Sequence, residues 1–261
     1  MSPVDKRAIA ESFGRAADSY DDAAHLQQQV AGEVLASIPH GLSPAAVLDI
    51  GCGTGMHTGQ LQQRYPRALV VGCDLAQGML RHARCNFPSP AWCGGDAENL
   101  PFQSGSVDLV FSSLAIQWCD RFSSVLDEAY RVLRPGGFFV FSTLCEGTLY
   151  ELRRAWQTVD GFSHVNEYPS FDDLGGDTSR SDFSIRQLQS IPHRLHYDRV
   201  AQLSRELIEL GANTLTGARR RGLMTPSRLK ALQFGYEQFR DEQQRLPATY
   251  QVVFGVLSKE I

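Results

Sequence analysis

The chain has 261 residues, of which 43% are hydrophobic and 21% charged. That balance fits a single large domain with a sizeable core and excludes a disordered or fibrous chain. No apolar run reaches the ~20 residues of a membrane-spanning helix, and a formal charge of −4 argues against nucleic-acid binding driven by overall charge.

The first residues, MSPVDKRAIAES, carry no apolar signal segment, so a cytoplasmic location is expected. The six cysteines (Cys52, Cys73, Cys85, Cys93, Cys119 and Cys145) are scattered along a long chain. They read as reduced, mostly buried thiols rather than a disulfide framework. No CxxC pair and no HxxxH or HExxH spacing occurs, so no metal site is expected.

Along the chain, residues 5–20 read as an amphipathic helix with Ile9, Phe13 and Ala16 or Ala17 on one face. Residues 24–38 read as a second, stopped by Pro39 and Gly41. The hydrophobic period then changes. Short apolar runs at 45–50, 68–74, 107–114 and 136–144 read as buried strands, and helical stretches at 56–65, 77–86 and 121–133 separate them. Alternation of this kind predicts a doubly wound, parallel α/β sheet over about 45–145. Beyond it, 148–160 reads as helix and 167–182 as a polar, glycine-containing loop. Residues 183–197 read as a strand, 199–210 and 226–243 as helices, and 249–260 as a terminal strand. A helical insertion thus interrupts the last strand pair.

Three local signals point to a nucleoside-type ligand. VLDIGCGTG (47–55) ends a strand on Gly51, Gly53 and Gly55, with Asp49 just before. Glycine lets the backbone turn with positive φ and approach a ligand, and the helix that follows offers free N–H groups to an anion. Asp74 and Leu75 lie at the tip of the next strand, where a carboxylate can accept from both ribose hydroxyls. In GDAENLPF (95–102), Asp96, Ala97 and Glu98 form a polar turn; Asp96 with the Ala97 N–H suits an adenine edge. Taken singly, the same residues would also serve a tight strand–helix turn, a helix cap and a loop turn.

These motifs, with RVLRPGGFFVFST (131–143), resemble the class I S-adenosylmethionine-dependent methyltransferases. The resemblance implies a seven-stranded Rossmann-like sheet with helices on both faces and an antiparallel last strand. It implies that Gly51, Gly53 and Gly55 face the methionine part, Asp74 the ribose, and Asp96 with Ala97 the adenine. The flanks are similar to one branch, the malonyl-[acyl-carrier protein] O-methyltransferases of biotin synthesis. They include FGRAADSYDDAAHLQ (13–27), SSLAIQWC (112–119), HVNEY (164–168), GANTLTGAR (211–219) and LPATYQVVFGVL (246–257). That implies one domain over 1–261, with an N-terminal helical lid (1–40), a cofactor-binding core (45–145), a substrate cap with later sheet elements (146–247) and a terminal strand (248–261).

The reaction so implied moves a methyl from S-adenosyl-L-methionine to the free carboxylate of a malonyl thioester, leaving S-adenosylhomocysteine. The thioester is carried on the phosphopantetheine of acyl carrier protein, or on coenzyme A. The methyl ester it yields starts pimeloyl and biotin synthesis. A carboxylate of pKa ~3–4 is already ionised at pH 7 and needs no general base. It does need a partner if buried, and an arginine fork suits it. Arg219 is the first candidate, although Arg219, Arg220 and Arg221 together also read as a solvated basic turn. Gln117 and Trp118, after the 107–114 strand, are candidates to orient the acyl group and exclude water. Tyr20 and Phe13 are candidates for a lid, and His164 and Asn166 are further polar candidates. From 182 to 240 the chain has ten basic and five acidic residues, an excess of five positive charges that would steer an acidic carrier protein. The alternatives are another small-molecule methyltransferase, acting on a quinone-type carbon or a free dicarboxylic acid, or a non-catalytic binder of an adenosine ligand. A nicotinamide dehydrogenase fits less well, since no hydride-transfer acid stands out.

Overall fold

In the computed structural model, which describes residues 5–160, 162–212 and 225–261, β1 (Ala46–Ile50) is buried along its whole length. A strand of AVLDI with no exposed face belongs in the middle of a sheet. β2 (Leu69–Asp74) pairs parallel on one side of it and β4 (Val107–Ser113) on the other. β3 (Ala91–Gly94) extends the β2 side, and β5 (Leu133–Leu144) pairs parallel with β4. β7 (Leu246–Ser258) then runs antiparallel between β5 and β6 (Ser184–Tyr197). The order is β3-β2-β1-β4-β5-β7-β6 among the described residues, with β7 the reversed strand. The chain winds outward in one direction from β1 and then in the other from β4. The C-terminal ends of β1 and β4 therefore form the switch point where such sheets bind ligands.

The helices cover both faces. On one, α3 (His25–Ser37) buries Leu26, Val30 and Val34 toward β4 and β5. On the other, α6 (Phe122–Val132) buries Phe122, Val125, Leu126 and Ala129. Each fully buried aliphatic or aromatic side chain contributes roughly 1.5–3 kcal/mol. α4 (Met56–Arg64) and α5 (Gln77–Asn86) follow β1 and β2. α1 (Lys6–Ala16), capped by the Asp5 carboxylate accepting the Ala8 N–H at 3.0 Å, lies across α5. α2 (Tyr20–Ala23) joins it to α3.

The expected strands and helices are present, with two differences. The four-residue edge strand β3 is short and half-exposed, so it lacks an apolar run. The 167–182 segment is not a loop: it holds helix α8 (Phe171–Arg180). Ser170 Oγ accepts the Asp173 N–H at 3.0 Å while Asp173 Oδ2 accepts from the Ser170 N–H at 3.2 Å, a reciprocal cap. Leu174 and Thr178 are buried beneath the helix. Capping and burial outweigh the cost of Gly175 and Gly176, about 1 kcal/mol each. Between β6 and β7 the insertion contains α9 (Val200–Glu209) and α10 (Pro226–Glu237). After β5, α7 (Tyr150–Gln157) packs against α10 and β7. All six cysteines are free, with Cys52, Cys73 and Cys145 buried and Cys85 exposed.

Candidate active site

The glycine turn after β1 is built by close contact. Gly51 has φ +70°, and a Cβ there would lie 2.2 Å from the Ala115 Cβ. Its N–H and that of Cys52 both donate to the Cys73 carbonyl, at 2.7 and 3.1 Å. Gly55, at φ +87°, starts α4, and its Cβ would strike the Trp92 ring at 2.5 Å. Neither position tolerates a side chain. Gly53 faces open space, and its N–H donates to Asp74 Oδ2 at 2.9 Å. Asp74 Oδ1 accepts the Ala76 N–H at 2.7 Å, so one carboxylate ties the turn after β2 to the turn after β1. Burial raises the Asp74 pKa, against the pull of these amides.

Gly51, Gly53, Asp74, Leu75, Asp96 and Ala97 share the wall of one cavity, roofed by α1. The fold thus brings six of the motif residues to one place. Asp49, Gly55 and Glu98 do not line it. Asp49 is buried behind the turn and accepts from Thr58 Oγ1 at 2.5 Å. Glu98 braces the neighbouring loop, accepting from the Asp120 and Arg121 N–H groups at 2.9 Å each. Lys6, which no motif flagged, reaches from α1 to Asp96 Oδ2 at 2.6 Å and Glu98 Oε2 at 2.5 Å.

A second cavity opens beyond the first. Its volume is about 370 Å³ against about 120 Å³. Four residues line both: Phe13, Tyr20, Leu114 and Trp118. The Phe13 ring meets Trp118 edge-on at 5.3 Å and lies 6.3 Å from Tyr20. Leu114 has φ +45°, a strained conformation for a leucine, and is pinned by the Ser142 carbonyl and hydroxyl, each 3.1 Å from its N–H. Burial and the nearby Asp74 and Asp21 charges push the Tyr20 phenol well above its usual range. Gln117 lines only the second cavity; its Nε2 donates to the Leu114 carbonyl at 2.6 Å, leaving Oε1 without a partner among the described residues.

His164 and Asn166 lie on the wall of the second cavity, as does Arg228 from α10. Arg219 lies outside the described residues. No motif marks Arg228, one arginine among many, or Lys6, ninety residues from Asp96 in sequence.

Residues 48–141 match the family described as "Methyltransferase domain". Over 259 residues the chain is 39% identical to a malonyl-[acyl-carrier protein] O-methyltransferase of Methylococcus capsulatus, covering 98% of this chain and 94% of the relative. A protein of the same description from Yersinia pestis is 40% identical, covering 98% and 93%. The biotin biosynthesis bifunctional protein BioHC of Cellvibrio japonicus is 44% identical, and there the chain spans 51% of the relative's length. Among solved structures, the YcgJ protein of Bacillus subtilis superposes with a TM-score of 0.62 at 16% identity, covering 90% of this chain and 99% of that one. A geranyl diphosphate C-methyltransferase of Streptomyces coelicolor, solved with S-adenosyl-L-homocysteine, gives 0.55 at 14%, covering 90% and 79%. These two share the fold; the full-length identities go further, and the chain belongs to the malonyl-[acyl-carrier protein] O-methyltransferase family of class I methyltransferases.

Proposed function

We propose that the protein is an S-adenosyl-L-methionine-dependent carboxyl O-methyltransferase that esterifies the free carboxylate of a malonyl thioester on acyl carrier protein. The observation that carries this reading is the pair of cavities meeting at Phe13, Tyr20, Leu114 and Trp118, in a chain that matches the family from end to end.

The first cavity fits the methyl donor. Gly51 and Gly53 offer bare backbone, the Asp74 carboxylate keeps acceptor capacity after taking two amides, and Asp96 with the Ala97 N–H suits an adenine edge. S-adenosyl-L-methionine supplies there an electrophilic methyl on a sulfonium. The aromatic faces at the junction favour a cation beside them.

The residues at the junction perform the rest. Tyr20 stays protonated at any ordinary pH and donates its hydroxyl toward the acceptor carboxylate. Trp118 and Phe13 exclude water. Gln117 turns its unpartnered carbonyl oxygen to the acyl arm. Alignment of this kind lowers a bimolecular barrier by as much as roughly 7–11 kcal/mol. No base is required. A carbon acceptor would need one; of the two groups that could be argued for it, Tyr20 holds its proton, and His164 lines only the second cavity and not the junction. The larger second cavity suits a thioester arm over a bare dicarboxylate.

For docking of the acidic carrier, the exposed Arg194, Arg199, Arg205 and Lys230 have no ion pair among the described residues, whereas Arg186, Arg228 and Arg240 are paired. The cations left unpaired support salt-sensitive association.

The test is transfer from labelled S-adenosyl-L-methionine to malonyl-carrier protein, beside malonyl-coenzyme A, acetyl-carrier protein and free malonate. Base-labile label on the malonyl and not the acetyl carrier is expected. Cofactor binding without transfer to any malonyl thioester would overturn the assignment.

A further inference from the structure

The second cavity runs along one face of α7. Leu149, Leu152 and Trp156, at helical spacing, line it in turn. Leu149 stands at the start of the helix, where its N–H donates to the Thr249 carbonyl at 2.6 Å. The helical turns continue past Trp156, whose carbonyl accepts the Asp160 N–H at 3.1 Å. At the Trp156 end stands a charged trio. The Arg228 guanidinium pairs with Asp160 Oδ2, His164 Nε2 lies 2.9 Å from Asp160 Oδ1, and the imidazole stacks on Trp156 with ring centres 3.8 Å apart. Arg228 also lies over the Trp156 ring, at 5.9 Å.

Asp160 holds only one nitrogen of the fork, Nη2. A guanidinium has five N–H donors, and no other acceptor engages those of Arg228 among the described residues. The side chain is 28% exposed, so this end of the cavity reaches solvent. Partial burial would raise the Asp160 pKa, but the Phe162 N–H, His164 and Arg228 together hold it below the usual range. The carboxylate thus stays charged and fixes the guanidinium in place.

The spacing suits a phosphopantetheine arm. From Leu149 to Asp160 is about eleven residues, or ~16 Å along a helix. The arm has about thirteen bonds from sulfur to phosphorus, and an extended chain covers ~3.5 Å per three bonds, giving ~15 Å. An arm laid along α7 with its malonyl group toward the junction would bring the phosphate to Arg228. The arm's two amide N–H groups also find acceptors: Gln27 Oε1 and Gln117 Oε1 are both buried without a partner among the described residues, and both residues line this cavity.

Resting on the substrate class proposed above, we propose that Arg228, oriented by Asp160 and His164, is the residue that binds the phosphate of the phosphopantetheine arm and so selects phosphopantetheine-borne thioesters over malonyl groups that lack the phosphate.

The test compares malonyl-phosphopantetheine with malonyl-pantetheine, which lacks the phosphate, on the wild type, Arg228→Gln and Arg228→Lys. Loss of a charged hydrogen bond raises KM about ten- to a hundredfold. That rise is expected for the phosphorylated substrate alone in Arg228→Gln, with kcat and the KM of the phosphate-free substrate within twofold of wild type. Arg228→Lys should keep part of the preference. Binding of phosphopantetheine to the protein saturated with S-adenosylhomocysteine, weakened in Arg228→Gln, would support the proposal without any turnover. Equal losses on both substrates, or no preference in the wild type, would overturn it while leaving the methyltransferase reading intact. No transfer to either thioester, with no phosphopantetheine binding, would end both. Malonyl-coenzyme A and malonyl-carrier protein, run alongside, distinguish the two sources of this phosphate by their kcat/KM.

Discussion

Lys6 Nζ lies 2.6 Å from Asp96 Oδ2, joining the first turn of α1 to the loop on the wall of the first cavity. The same ammonium lies 2.5 Å from Glu98 Oε2. Burial works against its charge, but the two carboxylates outweigh that and raise its pKa. The pair therefore latches α1 over the cavity. Partly exposed pairs of this kind are worth about 1 kcal/mol at most, so Lys6→Met should raise the Kd of S-adenosylhomocysteine about fivefold, chiefly through faster dissociation. Stopped-flow ligand release would show it. Lys6→Glu should be worse, and Glu98→Lys in the same protein should recover part of the loss. A double variant no better than Lys6→Glu alone would refute the latch.

α1 meets α5 where Gly14 faces Gly78, and the contact is asymmetric. A Cβ on Gly78 would lie 2.3 Å from the Gly14 carbonyl oxygen, whereas one on Gly14 would sit at an ordinary 3.5 Å from Gly78. Alanine in mid-helix normally gains up to about 1 kcal/mol over glycine. Gly14→Ala should therefore be neutral or stabilising. Gly78→Ala should push α1 away, lower Tm and speed amide exchange in α1. Equal behaviour of the two variants would contradict this packing.

The parts of the site legible in the sequence are those made by neighbours in the chain. Gly51, Gly53 and Asp74 announce themselves because a tight turn after a strand leaves a local pattern, and all three line the cavity. Lys6, Gly78 and Arg228 leave none. Gly78 is small because another helix's backbone passes over it; Arg228 matters because α10 lies beside α7. Helix α8 was legible in principle: Ser170 and Asp173 have capping-box spacing, but the two glycines and the polar composition masked it. Asp49 sits beside the glycines in sequence, yet β1 carries its side chain behind the turn, away from the cavity.

Asp49 gives the protein a pH dependence of its own. Burial pushes its carboxyl up to about 7, with the Asp74 charge adding and the Thr58 hydroxyl opposing. Unfolded, it titrates near 4. Between these values the folded state holds a proton that the unfolded state has lost. Its contribution to stability is complete below pH ~4 and is lost as pH rises through 7. Asp49→Asn can still accept from Thr58 and never ionises. Denaturant unfolding at pH 5 and pH 8 should show the variant gaining on the wild type by about 2–3 kcal/mol across that interval. Parallel profiles would mean that Asp49 is not raised.

Tyr20 carries the sharpest prediction for the chemistry. Its ring lines both cavities, and its hydroxyl has no hydrogen-bond partner among the described residues. A phenol held protonated by burial and by neighbouring carboxylates can donate to an acceptor carboxylate but cannot act as a base. Tyr20→Phe keeps the ring and removes only the donor. A hydrogen bond to a charged group is worth about 1.5–3 kcal/mol, so kcat/KM for the malonyl thioester should fall about ten- to a hundredfold. The Kd of S-adenosylhomocysteine, which depends on the ring and the glycine turn, should stay within twofold. Because no proton leaves Tyr20, the residual activity should keep the wild-type pH profile above neutrality. A variant that lost cofactor affinity in the same proportion would place the hydroxyl on the donor side of the junction. One that shifted the alkaline limb of the profile would return Tyr20 to the role of a base, and with it the case for a carbon acceptor.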